Sequence, residues 1–490
     1  MGSKFLKNSF YNVVAGAVRI GLALISIPVL IRLLKVEGYG VWVLASAIVE
    51  LVVLSGNGLS VTTTVFVSRD LAQKDSNDGL SKTFTILVSG TLILAILAAF
   101  ALWISAEPVV ELFPDLEPIQ KLAVTQAVQI GSLVVWARFL QQVLMGIEQA
   151  YQRYGTLNLL NTLQWVLLSL GLVGVALLGG QAGELMQWQA VTSVVMLISH
   201  FGFVKVLVRA AHLRPTLAIK KGLEIAHHSF INWLICLGSV AFGRGDRLIV
   251  AAFLGSEAIG IYGAIIEATS AVNSFSALPV QPLVPVLSHQ SALEDINRSN
   301  LKQQIKQAVK ANGLVALGCS GLLITFAPVI MQLLLTEAAT GTHTLLFRVA
   351  VIIYALCSLN AVGFYILLSR AVNLVMFLQL GSGILALTLI AIGGKYFGLL
   401  GAIIGNIGFL LSWLMISYGF KELKLPSSLW IKCLAFPLSW FLICVLFSFL
   451  VPATLSLTII IAIIQILVLA GWFLISQPQY NKFFTKKFKL

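Results

Sequence analysis

Charge is what this sequence has least of. Asp, Glu, Lys and Arg together make up 10% of the 490 residues, against about 25% in ordinary soluble domains. No polar stretch is long enough to form a folded domain of its own, so a catalytic domain outside the apolar segments is excluded. The GxxxxGK[ST] phosphate loop is missing, which excludes ATP hydrolysis by a P-loop, and no HExxH is present among the six histidines. The five cysteines, Cys236, Cys319, Cys357, Cys433 and Cys444, show no CxxC or other metal spacing. All five fall in apolar runs and read as small buried hydrophobes. No metal or cofactor is expected, and an enzyme is disfavoured. The net charge of +13 points to nucleic acid only when a soluble domain presents a basic face. Here the basic residues sit between apolar runs, so no nucleic acid is expected.

What the chain has in quantity is apolar length. Hydrophobic residues make up 58% of it, and a membrane-spanning helix takes about 20 apolar residues. Cutting at the polar breaks gives fourteen spans, at 8–34, 39–67, 84–105, 119–146, 156–179, 184–208, 226–254, 259–287, 308–335, 343–368, 374–393, 397–419, 430–451 and 455–476. The expected fold is therefore an all-α integral membrane protein of about 14 transmembrane helices. Lys4 and Lys7 precede an apolar stretch that is too long for a signal-peptide core and is followed by no small-residue cleavage site, so it reads as a retained first span. An even number of spans puts both termini on one side. With that side cytoplasmic, only Arg32, Lys35, Lys121 and Lys395 fall outside, whereas Arg69, Lys74, Lys82, Arg209, Arg214, Lys220, Lys221, Lys302, Lys306 and the tail Lys482, Lys486, Lys487 and Lys489 fall inside. That asymmetry fits the positive-inside rule. Thr216–His228 reads equally well as an amphipathic surface helix or as the start of the seventh span.

Sliding the chain by 220 residues aligns Ser9, Phe10 and Asn12 with Ser229, Phe230 and Asn232. It then aligns Leu34, Glu37 and Gly40 with Leu254, Glu257 and Gly260, and Pro108-Val109 with Pro328-Val329. The shift carries six spans onward, an even number, so the halves are parallel repeats about an axis along the membrane normal. This predicts an N-terminal lobe over 1–215, a C-terminal lobe over 216–425, and a segment 426–490 holding spans 13 and 14 with a basic cytoplasmic tail. Substrate is expected between the lobes.

The few charges inside spans then carry the functional reading. A charge near a bilayer centre costs roughly 2.5–3.5 kcal/mol on insertion scales, so it is kept against protein or water. Gly243-Arg244-Gly245-Asp246-Arg247 interrupts the apolar run from Phe230 to Leu254, and both flanks are too hydrophobic for an exposed Arg-Gly-Asp adhesion loop. Arg244 and Arg247 are three apart and share a helix face. Arg19 lies near the centre of span 1, and Arg138 and Arg348 lie in spans 4 and 10. A guanidinium stays charged when buried and binds phosphate bidentately, so these five arginines are the candidate substrate ligands. Glu50 maps by the repeat onto Ser270, one turn after Glu267. Glu50, Glu267 and Asp246 are the candidate ion-coupling carboxylates, with neutralisation of nearby arginines as the other reading. Pro28, the cluster Pro279, Pro282 and Pro285, and Gly238, Gly243 and Gly245 are candidate kinks.

Two stretches carry a family resemblance. Asn8-Ser9-Phe10-Tyr11-Asn12, Ile27-Pro28-Val29-Leu30-Ile31-Arg32-Leu33-Leu34 and Glu37-Gly38-Tyr39-Gly40-Val41-Trp42 resemble the opening of Wzx-type polysaccharide flippases. Asp246-Arg247, Leu254-Gly255 and Gly260-Ile261-Tyr262 resemble the matching start of their second half. Lipid II flippases and multidrug and toxin extruders are relatives of the same superfamily. The resemblance implies alternating access in the bacterial inner membrane, with an undecaprenyl-pyrophosphate-linked oligosaccharide as substrate. It further implies a cationic cavity suited to Arg19, Arg244 and Arg247, two extra helices that line a groove for the lipid tail, surrounding membrane lipids, H+ or Na+ as a coupling ion, and contact with polysaccharide assembly proteins. The alternatives are an ion-coupled multidrug exporter, a lipid II flippase, and a membrane-embedded glycan polymerase.

Overall fold

The computed structural model describes residues 2–72, 77–151, 153–209, 214–216, 218–280, 283, 287, 298–335, 339–450 and 455–476. Among these residues every regular element is helical. The chain runs through α1 (Gly2–Ser55), α2 (Asn57–Ala72), α3 (Asn77–Val110), α4 (Pro118–Ala150), α5 (Tyr154–Leu177), α6 (Ala182–Val208) and α7 (Ile219–Ala277). It continues with α8 (Arg298–Thr325), α9 (Ala327–Leu335), α10 (Gly341–Ser358), α11 (Ala361–Leu368) and α12 (Val372–Gly405), then a 3-10 turn (Asn406–Trp413), α13 (Leu414–Glu422), α14 (Ser428–Leu450) and α15 (Leu455–Ser476). Eleven described stretches are long and apolar enough to cross a membrane.

Three of those stretches, Ile25–Leu71, Arg244–Ala277 and Asn373–Glu422, take in all or part of two expected spans each. A straight α-helix rises 1.5 Å per residue, so 54 residues of α1 or 59 of α7 are too long for one crossing of a core about 30 Å thick. Each is broken at a single residue: Lys35 (φ 61°, ψ 169°) in α1, Gly255 (φ 78°, ψ −173°) in α7 and Gly398 (φ 61°, ψ −148°) in α12. Lys35 and Gly255 are 220 positions apart, the spacing of the sequence repeat. Gly179 (φ 86°), between α5 and α6, stands one position off the same relation to Gly398. The elbow of α12 is a tight hairpin, because Gly393 meets Gly401, Gly405 meets Ile390 and Gly408 meets Ala386 in antiparallel order. Pro28 is accommodated within helical backbone, and α7 stays helical through Gly238, Gly243 and Gly245. Of the proline cluster, Pro279 follows the end of α7, and Pro282 and Pro285 lie outside the described residues. From Ile219 on, the stretch Thr216–His228 is continuous with α7.

The chain forms two compact units, Met1–Gly263 and Ala264–Leu490. In the first, α4 is the central post. Its buried face runs from Val124 to Glu148, and Gln142 Nε2 donates to Asn57 Oδ1 at 2.8 Å. In the second, Asn312 on α8 donates to the carbonyls of Ser276 (3.0 Å) and Ser358 (3.1 Å), tying three helices together at their freed backbone groups. Tyr354 Oη donates to Asn406 Oδ1 at 3.2 Å. The last two helices dock on α8, where Leu434 covers Gly313 and Gln465 covers Gly321. The outward faces of α3, α14 and α15 stay apolar, with Ile93, Phe100, Leu446 and Leu467 exposed. That is the reverse of a water-soluble surface.

The elbows carry the first prediction. Their φ/ψ region is essentially reserved for glycine, and a side chain held there costs of order 1–3 kcal/mol. Lys35→Gly is expected to raise the unfolding temperature of the purified protein, and Gly255→Ala to lower it. Thermal unfolding in detergent measures both.

Candidate functional site

The first arm of α7 runs antiparallel along α2 and the second arm of α1. The partners descend on one side as they climb on the other. Lys221 meets Asp70, Glu224 meets Arg69, and His228 meets Thr62. Asn232 and Trp233 lie against Gly58, Arg244 pairs with Glu50, and Ser256 lies against Gly40. Lys221 Nζ is held by both Asp70 carboxylate oxygens (2.9 and 3.0 Å) and by the Gly79 carbonyl at 3.0 Å, while Thr83 Oγ1 donates to Asp70 at 2.5 Å. Asp70 is buried, so this pair is sheltered from the screening that weakens surface pairs.

At the opposite end the seam closes backbone to backbone. A side chain at Gly40 would collide with the Ser256 carbonyl oxygen, and one at Gly260 would come within 2.5 Å of the Val36 carbonyl oxygen. Val36 and Ser256 are themselves 220 apart, as are Gly40 and Gly260. The contact is therefore reciprocal, each repeat offering the same glycine to the same carbonyl of the other. One turn on, Val43 packs against its own counterpart, Gly263.

The charged stretch sits just inside this closure. Arg244 Nε pairs with the Glu50 carboxylate, and both side chains are partly exposed, at 17% and 27%. Asp246 is 2% exposed. It accepts from the adjacent Arg247 amide at 2.9 Å and from Tyr262 Oη at 3.0 Å, and the Tyr262 bond fastens the two arms of α7 across the Gly255 elbow. Arg247 is 5% exposed. Glu50, Arg244, Asp246 and Arg247 are thus brought together in the first unit.

The other candidates lie elsewhere. Arg138 on α4 donates to Gln141 (3.1 Å) and Gln164 (2.8 Å), and Gln141 also donates to Gln164 at 2.9 Å. This cluster of two buried amides and a half-buried guanidinium joins α4 to α5. Arg348, in the second unit, lies 4.9 Å over the Phe449 ring, and its Nε has no hydrogen-bond partner. Glu267 belongs to the second unit, on the second arm of α7. The Arg19 side chain lies outside the described residues.

Several polar groups in the first unit were missed by sequence reasoning. Asp70 fell just beyond the end of an expected span and read as loop. Glu148 fell two residues past the expected end of span 4, yet it is fully buried and bonded at 2.7 Å to His200, also fully buried, on α6. A His inside an otherwise apolar span was the available signal.

Residues 5–291 match the family model described as polysaccharide biosynthesis protein. The chain belongs to this family. No curated protein matches it in sequence. Among solved structures it is similar to lipid II flippase MurJ in an inward closed conformation, at 16% identity and a TM-score of 0.74, covering 95% of this chain and 99% of that one. It is also similar to an inward-facing multidrug resistance MATE family transporter, at 15% identity and a TM-score of 0.60, covering 85% and 94%. These likenesses establish the fold. With its apolar helices they mark a multi-pass membrane protein of the fold used by flippases and exporters.

Two substitutions test the site's packing. Tyr262→Phe removes a hydrogen bond to a buried carboxylate and is expected to lower stability by about 1–3 kcal/mol, read by thermal unfolding. Gly40→Val is expected to force the two elbows apart. An increase in thiol labelling of a cysteine placed at Val43, relative to the same cysteine with Gly40 intact, would register the opening.

Proposed function

We propose that this protein translocates an undecaprenyl-pyrophosphate-linked oligosaccharide across the bacterial inner membrane by alternating access. The observation that carries this reading is the arginine-bearing arm of α7 in a chain of the polysaccharide biosynthesis family. A lipid II flippase shares the fold over nearly its whole length, including the region of the last two helices. With the termini on the cytoplasmic side, the Lys221–Asp70 end of the seam faces the cytoplasm and the Gly40–Gly260 end faces outward.

The ion pair suggests how substrate arrival is linked to movement. Arg244 spends its charge on Glu50 in this conformation. A pyrophosphate matches the guanidinium fork as well as a carboxylate does and carries more charge, so it takes the place of Glu50. That exchange removes the seam's middle tie and leaves Glu50 without its counter-ion. A ligand moves a conformational equilibrium only by binding one state better than the other, and here the difference is the broken Arg244–Glu50 contact. Lobe rocking then carries the head group across while the polyprenyl chain stays in the bilayer among membrane lipids.

Reconstitution in liposomes tests the reading. Movement of a lipid-linked oligosaccharide is expected, with little ethidium efflux. Arg244→Ala should slow it about tenfold, equivalent to about 1.4 kcal/mol, without loss of membrane insertion. Glu50→Gln should tighten binding of the pyrophosphate head. Ethidium efflux without oligosaccharide movement would identify a drug exporter instead.

A further inference from the structure

We propose that the Glu148–His200 pair is a proton-binding site whose occupancy is tied to the docking of the first arm of α7; the role of that proton in transport rests on the flippase reading above. Both side chains have no exposed surface. His200 Nδ1 lies 2.7 Å from Glu148 Oε1, and neither Glu148 Oε2 nor His200 Nε2 has a hydrogen-bond partner. A purely structural pair in an apolar core is normally satisfied at every atom, and unsatisfied buried polar atoms in native proteins call for a reason.

The chemistry admits few states. With no proton between them the pair carries one negative charge, with one it is neutral, and with two it carries one positive charge. A buried net charge is penalised by lost solvation, so the singly protonated state is the one compatible with a closed core. The second proton, or the loss of the first, requires water to reach the pair.

α7 contributes to the apolar cluster beside the pair through one residue, Ile225. The apolar cluster at this end of the unit joins Phe66 and Val67 of α2, Leu80, Phe84 and Leu87 of α3, and Val143, Leu144 and Ile147 of α4. Val204 of α6 and Ile225 of α7 complete it. Glu148 follows Ile147 directly and His200 stands one turn before Val204. Ile225 sits between Lys221 and His228, the two residues that fasten the arm to α2. Lifting the arm withdraws Ile225 from the cluster that borders the pair and gives water a route toward it, and seating the arm restores the apolar cover with whatever proton the pair then holds.

The other ionisable groups near this end are either paired or exposed. Asp70 is bonded to Lys221, Arg69 to Glu224, and Lys82 to Asp78. On α1, Glu50 is taken by Arg244. His228 is bonded to Thr62 and Asn232, half-buried in the seam itself, and is the group that has to be distinguished from the pair. His227 and Lys205 are exposed, and Tyr151, Arg153 and Tyr154 stand at the α4–α5 connection. None of these is buried with open hydrogen-bonding capacity in the way the pair is.

The test follows the arm directly and needs no substrate. Spin labels at exposed positions, Val65→Cys on α2 and Leu223→Cys on α7, are introduced into the full chain with its native cysteines replaced by alanine, in lipid nanodiscs. Dipolar EPR between pH 5.5 and 8.0 is expected to show the label separation changing with pH. Glu148→Gln and His200→Gln, which keep polar side chains, should each remove that change. His228→Gln should keep it. The proposal is overturned if the parent shows no pH-dependent change, if both pair variants retain it, or if only His228→Gln abolishes it. Circular dichroism confirms that each variant is folded, and either pair variant alone suffices. In liposomes, stimulation of oligosaccharide movement by an imposed pH difference should vanish with the same two substitutions. An EPR response without oligosaccharide movement would retain the proton site and remove the flippase reading.

Discussion

The structure of the first unit depends on one long contact, between the chain from Val36 to Ala72 and α7 as far as Gly263, antiparallel along the first arm of α7 and closed just past its elbow. It is held by a different physical interaction at each level. Backbone meets backbone at Gly40 and Gly260, where any side chain collides. Midway, an ion pair joins Glu50 to Arg244. At the far end a lysine is clamped by a buried aspartate and a carbonyl. Close glycine packing gains dispersion energy and orders little side-chain entropy, whereas ionic ties in a region of low dielectric are strong only while both partners stay in place. A seam of this composition is rigid at its closed end and exchangeable along the rest.

The charged stretch illustrates how division of labour arises within five residues. Arg244 and Asp246 are two apart and therefore point to different sides of α7. Arg244 reaches across to another helix and a partner that a ligand can replace. Asp246 turns back to Tyr262 on the same element and keeps the elbow folded. Arg247 lies on the Arg244 side but is buried more deeply. A single cluster of charge thus serves both to maintain a turn and to present a cation.

Much of this fold was legible because membranes leave the backbone so little choice. Among the described residues the expected spans fall mainly on helix, and the expected breaks after Leu34 and Leu254, which the 220-residue shift aligns, are where Lys35 and Gly255 bend the chain. The places where sequence reading fell short share a cause. Hydropathy finds the ends of spans from polarity, so Asp70 and Glu148, polar residues at the margins of spans, were assigned to connections when they are in fact buried in a helical core. Span periodicity also gave no means of pairing Arg244 with Glu50, which are far apart in sequence and meet only because α7 runs the full length of its neighbour. Arg138 braces α4 against α5 and Arg348 lies on an aromatic ring, contacts that hydropathy does not reveal.

The reciprocal glycines have a consequence for how substitutions combine. Contacts in which the same residues face each other from both sides are the hallmark of two-fold dimers, and here that geometry occurs inside one polypeptide. Position 40 and position 260 press on the same narrow space from opposite directions. Once either carries a side chain and the backbones have parted, the other has room for one. Their penalties therefore overlap, so a double substitution is less damaging than the sum of its parts, and tolerance at one glycine is conditional on the identity of the other.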